Sequence, residues 1–262
     1  MRKIWRYTAV ILLFAAIVCG GLAVKTKIEK ERTNARYQQM RQTIRLEETW
    51  EEEKTVQDME TEEDTEKELV IPVDFEALKK INAEIYAWIT IPGTVIDYPV
   101  VQSEKDDAKY LTLTAEEEES AAGSIFSESK NAKDFSDVHT VLYGHNMKDG
   151  TMFAGLHKFE EEEFFNAHRT VVIYTPDAIR YYRIFAAYLY DDRHLLQSFD
   201  CSDAEVFEAY IKSIMEQRNL YAYIDRKAKI QVSDRILTLS TCHSMGPEYR
   251  YLVQAVLAKE IK

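Results

Sequence analysis

A chain of 262 residues, 46% of them hydrophobic, can hold one large domain or two small ones and is too apolar to be disordered throughout. Its formal net charge of −12 is local: twelve acidic residues against two lysines within residues 47–68 account for −10, leaving −2 for everything else. Acidity therefore describes one segment, and no basic stripe with interleaved aromatics points to a nucleic-acid partner. The three cysteines, Cys19, Cys201 and Cys242, form neither a CxxC pair nor a disulfide framework, so one of them is free to be a working thiol.

In chain order, residues 7–24 carry no charge and follow Arg2, Lys3 and Arg6. As a helix of about 1.5 Å per residue they reach roughly 27 Å, close to the ~30 Å of a hydrocarbon core. A cleaved signal peptide is the competing reading, but Ile17 and Val18 ahead of Cys19 make a poor small-residue cleavage site. The expectation is an uncleaved single-pass anchor at 7–24 after a short cytoplasmic stretch at 1–6. Lysines and arginines flank both ends, with Lys25, Lys27, Lys30 and Arg32 beyond it, so charge does not fix its orientation. Residues 25–69 contain no Gly or Pro and few apolar positions, which predicts a solvated, partly helical stalk.

From residue 70 the texture changes, and 70–262 is expected to be one domain. Phe75, Leu78, Ile81 and Ile85 stand at helical spacing after Asp74, a capping residue. Strands are predicted on both sides of the Pro92-Gly93 turn and at 123–126, 140–143, 170–174, 179–190, 230–232, 236–242 and 249–258, with one amphipathic helix at 203–219. Many short strands and few helices indicate a mainly β barrel or sandwich.

Two strand ends carry chemistry. In Thr238-Leu239-Ser240-Thr241-Cys242 alternation puts Thr238, Ser240 and Cys242 on one face, with Cys242 where the strand opens into a loop. Cys242 and Arg250 lie four residues either side of Gly246, so antiparallel pairing about that loop makes them neighbours. A guanidinium beside a thiol favours thiolate and can donate to a developing oxyanion. The other stretch, Val141-Leu142-Tyr143-Gly144-His145, is again an apolar strand ending in a polar residue. One histidine can take the thiol proton and return it to a leaving amine. Taken singly, a strand cysteine is more often a small buried hydrophobe, a lone histidine more often structural, and an arginine more often a surface residue.

Together, YGHNM, TLSTC and the arginine of EYRYLV resemble the His, Cys and Arg signatures of class B sortases. WITIPGTVIDYPVVQ, GSIF, DFSD and YGHNMKDGTMF extend the likeness, in order, over nearly all of 70–262. The resemblance implies an eight-stranded barrel with an N-terminal helix and a helix before the cysteine strand. It makes His145, Cys242 and Arg250 the catalytic residues of a cysteine transpeptidase outside the cell membrane. Such an enzyme cuts an NPxTN- or PxTG-like sorting signal after Thr, holds the surface protein as a thioacyl intermediate, and passes it to an amine of a peptidoglycan precursor or stem peptide. Class A relatives often use calcium. With no compact carboxylate cluster here, neither metal nor cofactor is expected. Ser240, on the Cys242 face, and His243, next to the nucleophile, are weaker candidates for substrate contact. The remaining cysteine, Cys201, is expected to be structural. Two rival readings stay open: a membrane-tethered cysteine protease or hydrolase, for which the order of His145 before Cys242 is wrong among papain-like enzymes, and a barrel-shaped binding module without catalysis.

Overall fold

The computed structural model describes residues 2–44 and 70–262, without the side chains of 2–17, 22 and 23. The acidic run at 47–68 and most of the apolar run at 7–24 lie outside the described side chains. Among the described residues no helix is long and apolar enough to cross a membrane.

Among the described residues nine strands form one sheet: β1 (Ile85–Thr90), β2 (Asp97–Val101), β3 (Ile125–Phe126), β4 (His139–Tyr143), β5 (Thr170–Thr175), β6 (Ala178–Asp191), β7 (Tyr223–Ile224), β8 (Ile236–Cys242) and β9 (Tyr249–Ile261). Their order is β5-β1-β2-β3-β4-β8-β9-β6-β7, and a further β5–β6 pairing closes eight of them into a barrel. The ninth, β7, was not anticipated. It pairs with Ala186 and Ala187 of β6, beyond the stretch of β6 that serves β5. Closure leaves few free edges, and both faces of β1 and β5 are buried, as their β-branched and aromatic composition demands.

The helices are α1 (Arg2–Ile44), α2 (Phe75–Ile81), α3 (Glu162–Ala167), α4 (Leu195–Ser198) and α5 (Ala204–Met215). Asp74 caps α2 by accepting from the Ala77 amide at 2.9 Å. The helix stops at Asn82, so Ile85, read as a fourth helical position, instead opens β1. Asp203 caps α5, whose Phe207, Tyr210, Ile211 and Ile214 are buried against Val141, Ile236 and Leu252 on the outer face of β4, β8 and β9. No strand forms at 230–232. Asp234 folds that segment into a turn, its carboxylate accepting from Gln231 N at 2.8 Å.

The β1–β2 hairpin turns at Gly93, whose φ of +80° suits glycine and where a Cβ would lie 2.5 Å from the His168 ring. Inside it Trp88 is fully buried, and its indole N–H donates to Asp97 Oδ1 at 2.7 Å. The same oxygen accepts from Thr90 Oγ1 at 3.0 Å, so the one polar atom of the buried indole is satisfied across the pair.

The segment expected to be a stalk departs from expectation. The last three turns of α1 lie on the barrel, burying Thr33, Tyr37, Met40 and Ile44. Tyr37 donates to Gly123 O at 3.1 Å, accepts from Ala115 N at 3.3 Å, and meets Tyr98 edge-on at 5.3 Å. Burial pushes its phenol up to about 12. Arg41 donates to Asp97 O at 2.7 Å with its guanidinium 4.5 Å above the Tyr98 ring, and Arg36 pairs with Glu116 and Glu118. Apolar residues too thin to build a core of their own thus complete one supplied by the barrel. Tyr37→Ala is expected to cost about 3–5 kcal/mol, read as a lower denaturant midpoint at unchanged slope. A protein beginning at residue 70 should melt below one beginning at residue 25. Equal melting temperatures would show that the α1 contacts contribute nothing to stability.

Candidate active site

The site is built by three neighbouring strands, with β8 in the middle. On one side β4 runs parallel to it, with Tyr143 opposite Ser240. The Gly144 amide donates to Ser240 O at 3.2 Å and Thr241 Oγ1 donates to Gly144 O at 2.8 Å, which holds the chain against β8 for one residue past β4, up to His145. Gly144 has no room for a side chain: a Cβ would lie 2.5 Å from Ile125 Cδ1 and 2.7 Å from Phe153 Cγ. On the other side β9 runs antiparallel, and Cys242 pairs with Arg250.

All three side chains open into one cavity of about 360 Å³, whose walls include Leu111, Tyr143, Tyr190, His194 and Ser240. Cys242 is exposed there, while His145 and Arg250 are half-buried. His145 Nε2 lies 2.7 Å from Leu111 O, and a carbonyl only accepts, so Nε2 donates. In the neutral ring this leaves Nδ1 as the lone-pair nitrogen. Arg250 Nη1 donates to Pro247 O at 2.6 Å and to Tyr249 O at 3.1 Å, which fixes the guanidinium at the rim.

Ser240 also lines the cavity, two residues before Cys242 and on its face. His243 does not. Alternation turns its ring away, and it is buried against Glu160, His157 and Tyr221. The structure thus places His243 outside the cavity that Cys242 opens into. Residues the sequence reading passed over include Leu111, whose carbonyl orients His145, and His194 and Tyr190, whose Nδ1 and hydroxyl are buried at the cavity wall with no hydrogen-bond partner among the described residues. Backbone groups and single aromatics leave no motif. His157-x-x-Glu160 does have a visible spacing, and with His243 it is the one group among the described residues whose donor atoms, all within 4.8 Å, are of the kind a metal could use.

A second cysteine–histidine pair lies in the interior. Cys201 Sγ is 3.5 Å from His139 Nδ1, and His139 Nε2 is 2.8 Å from Thr238 Oγ1, which donates to Gln254 Oε1 at 2.6 Å. Gln254 donates in turn to the hydroxyls of Tyr188 and Tyr210 at 3.0 and 2.8 Å. Burial drives the Cys201 thiol up to about 11 and the His139 imidazole down to about 3, so both are held neutral. That is the reverse of what a nucleophile needs.

With this geometry in view, the comparisons with known proteins decide the family. A family model for the sortase domain matches residues 89–258. The chain belongs to the sortase family. Membership places it among the cysteine transpeptidases of cell-wall anchoring, and its relatives are of class B. It is 39% identical to sortase B of Listeria monocytogenes over 166 residues, 63% of this chain and 65% of that protein. It is 28% identical to sortase B of Staphylococcus aureus over 262 residues, 100% of this chain and 98% of that one. A Staphylococcus aureus sortase B–substrate complex superposes with a TM-score of 0.70 at 27% identity, covering 88% of this sortase and 99% of that chain. Clostridium perfringens sortase B gives 0.64 at 34% identity, covering 71% and 100%.

The buried histidine makes this sortase sensitive to acid. A group with a folded value near 3 and an ordinary value of 6.5 binds its proton preferentially in the unfolded chain. Its contribution to stability is complete above pH ~6.5 and is withdrawn as pH falls toward 3, on the order of several kcal/mol in all. Unfolding midpoints measured from pH 7 to 3 should fall less steeply in His139→Gln than in the natural protein. Parallel curves would mean that His139 protonation does not govern the acid limb.

Proposed function

We propose that this sortase cleaves a C-terminal sorting signal after Thr and transfers the acyl part to a cell-wall amine. In this reading Cys242 is the nucleophile, His145 the general acid and base, and Arg250 the donor to substrate and oxyanion. One observation carries it: His145 just past the end of β4, Cys242 at the end of β8 and Arg250 opposite it on β9 line the same cavity. The Cys242 proton passes to His145, and Sγ bonds to the Thr carbonyl carbon as the π electrons move to oxygen, where Arg250 donates. Collapse expels the following residue as an amine, which takes the proton from His145. The incoming amine attacks the thioester, gives a proton to His145 and expels the thiolate, which takes that proton back from His145. Atoms and protons balance over the cycle.

The substrate is an extended peptide of the NPxTN or PxTG type, and the acceptor an amine of a peptidoglycan precursor or stem peptide. Support for a peptide in the groove comes from the polar atoms of Tyr190 and His194 at its wall that have no partner among the described residues, and from Ser240 lining the same cavity. Residues 7–24 serve as a single-pass anchor, with the barrel outside the cell. The uncharged run and a match to the Staphylococcus aureus relative through all 262 residues support this. Because the docked turns of α1 begin near Thr33, about nine residues after the run, the barrel would stand roughly 14 Å from the end of the span at 1.5 Å per residue.

Mass spectrometry of peptide products tests the reaction. Cys242→Ala should form no thioacyl adduct, and His145→Ala should be nearly as damaged. Arg250→Ala should lose about 10²–10³ in kcat, the usual cost of an oxyanion donor. Arg250→Lys should also fall well short, since an ammonium lacks the planar fork. Adding an amine should divert the acyl group into a new amide. Hydrolysis alone with every cell-wall amine tried would remove the transfer step. Wild-type rates in Arg250→Ala would remove that residue from the mechanism.

A further inference from the structure

Behind Cys242, facing away from the cavity, lies a second set of ionisable groups. The 3₁₀ helix at Phe153–Glu160 has three residues per turn, so His157 and Glu160 stand one above the other. His157 Nδ1 hydrogen-bonds Glu160 Oε1, and its Nε2 is 3.1 Å from the carbonyl oxygen of Cys242. His243 Nε2 reaches the same carboxylate oxygen at 3.2 Å, while its Nδ1 accepts from Met245 N at 3.2 Å. Tyr251, the residue after Arg250, stacks on His157 at 5.4 Å.

The reason for a side chain at this point lies in the ladder. In a parallel pair the rungs come every two residues, and the Gly144 amide already donates to Ser240 O. The next rung would bring the amide of residue 146 to Cys242 O. Asn146 has left the ladder, however, to bridge with Met152. His157 Nε2 stands where that donor is missing.

Both partners of His157 are acceptors: a carbonyl at one nitrogen and a carboxylate at the other. Because a carbonyl only accepts, His157 Nε2 is the donor to Cys242 O. Burial works to raise the Glu160 carboxyl, but the hydrogen bond and charge of His157, with those of His243, outweigh it and hold the group below its ordinary range.

We propose that His157 and Glu160, braced by His243, are positioning residues for transfer. They replace the absent rung, fix the peptide plane that follows the nucleophile, and thereby set Cys242 Sγ against His145 and Arg250. The proposal rests on Cys242 being the nucleophile. It concerns chemistry rather than substrate capture, so kcat should fall while KM holds.

Steady-state kinetics on a sorting-signal peptide, with melting temperature as the check on folding, test it. His157→Leu should lower kcat about 10–100-fold with KM within about twofold, the scale of a misplaced reacting group. His157→Gln, which keeps an N–H able to reach Cys242 O, should recover much of that loss. Glu160→Gln, nearly isosteric, should fall between them and serves if the leucine variant does not fold. A folded His157→Leu or Glu160→Gln with natural kcat overturns the proposal, and so does a loss expressed in KM. Nitrogen-15 spectra of Cys242→Ala read the cluster without activity. A proton on His157 Nε2 supports it, and a ring whose Nε2 carries no proton overturns it. If the natural protein forms no adduct at Cys242, the assignment of the nucleophile fails instead, and the spectra still judge the cluster.

Discussion

The parallel pairing of β4 with β8 is the constraint on which the site depends. It joins residues 139–143 to 236–240, almost a hundred positions apart, with β5, β6 and β7 in the chain between them. A parallel pair cannot be made by a tight turn. A slip of one residue would turn Cys242 to the other face and send its thiol among the buried groups behind it. Register is held where the slip would matter most, by Thr241 on Gly144 O and by the lack of space at Gly144.

The two cysteine–histidine pairs show what that register accomplishes. Cys201 and His139 are close enough to interact, but they share a polar network sealed beneath α5, where desolvation drives each toward its neutral form. Cys242 sits at a strand mouth open to solvent, between a half-buried imidazole and a guanidinium. Proximity is common to both pairs. Hydration and the neighbouring cation distinguish them, which is why one is suited to structure and the other to chemistry.

The charged N-terminal segment adds a second dependence. Hydrogen bonds and ring contacts from Tyr37 and Arg41 end on Asp97, Tyr98, Ala115 and Gly123, two of them in β2 and two in the loop before β3. Asp97 also holds Trp88 and Thr90, so α1 and the β1–β2 hairpin share one carboxylate-bearing residue. The loop between β2 and β3 in turn supplies Leu111, whose carbonyl orients His145. A helix outside the barrel is thus linked through contiguous contacts to the wall of the cavity.

Much of this was legible in the sequence, because the features concerned are local. Alternation put Ser240 and Cys242 on one face, the symmetric spacing about Gly246 paired Cys242 with Arg250, and Asp74 and Asp203 announced their helices. The motif order around His145, Cys242 and Arg250 carried the family. The tertiary structure decided the rest. Ile85 became a strand residue because β2 and β5 offered β1 partners on both edges, overriding helical spacing. Tyr37, Met40 and Ile44 became core because the barrel presents an apolar surface to a helix that could not bury them alone. His243 turned inward, and His157 and Glu160 met behind Cys242, because β4 leaves its ladder one rung early and a 3₁₀ helix passes there. Periodicity reports which face a residue shares with its near neighbours. Which distant segment covers that face depends on long-range pairings, and their free energy is spread over contacts that no single stretch of sequence contains.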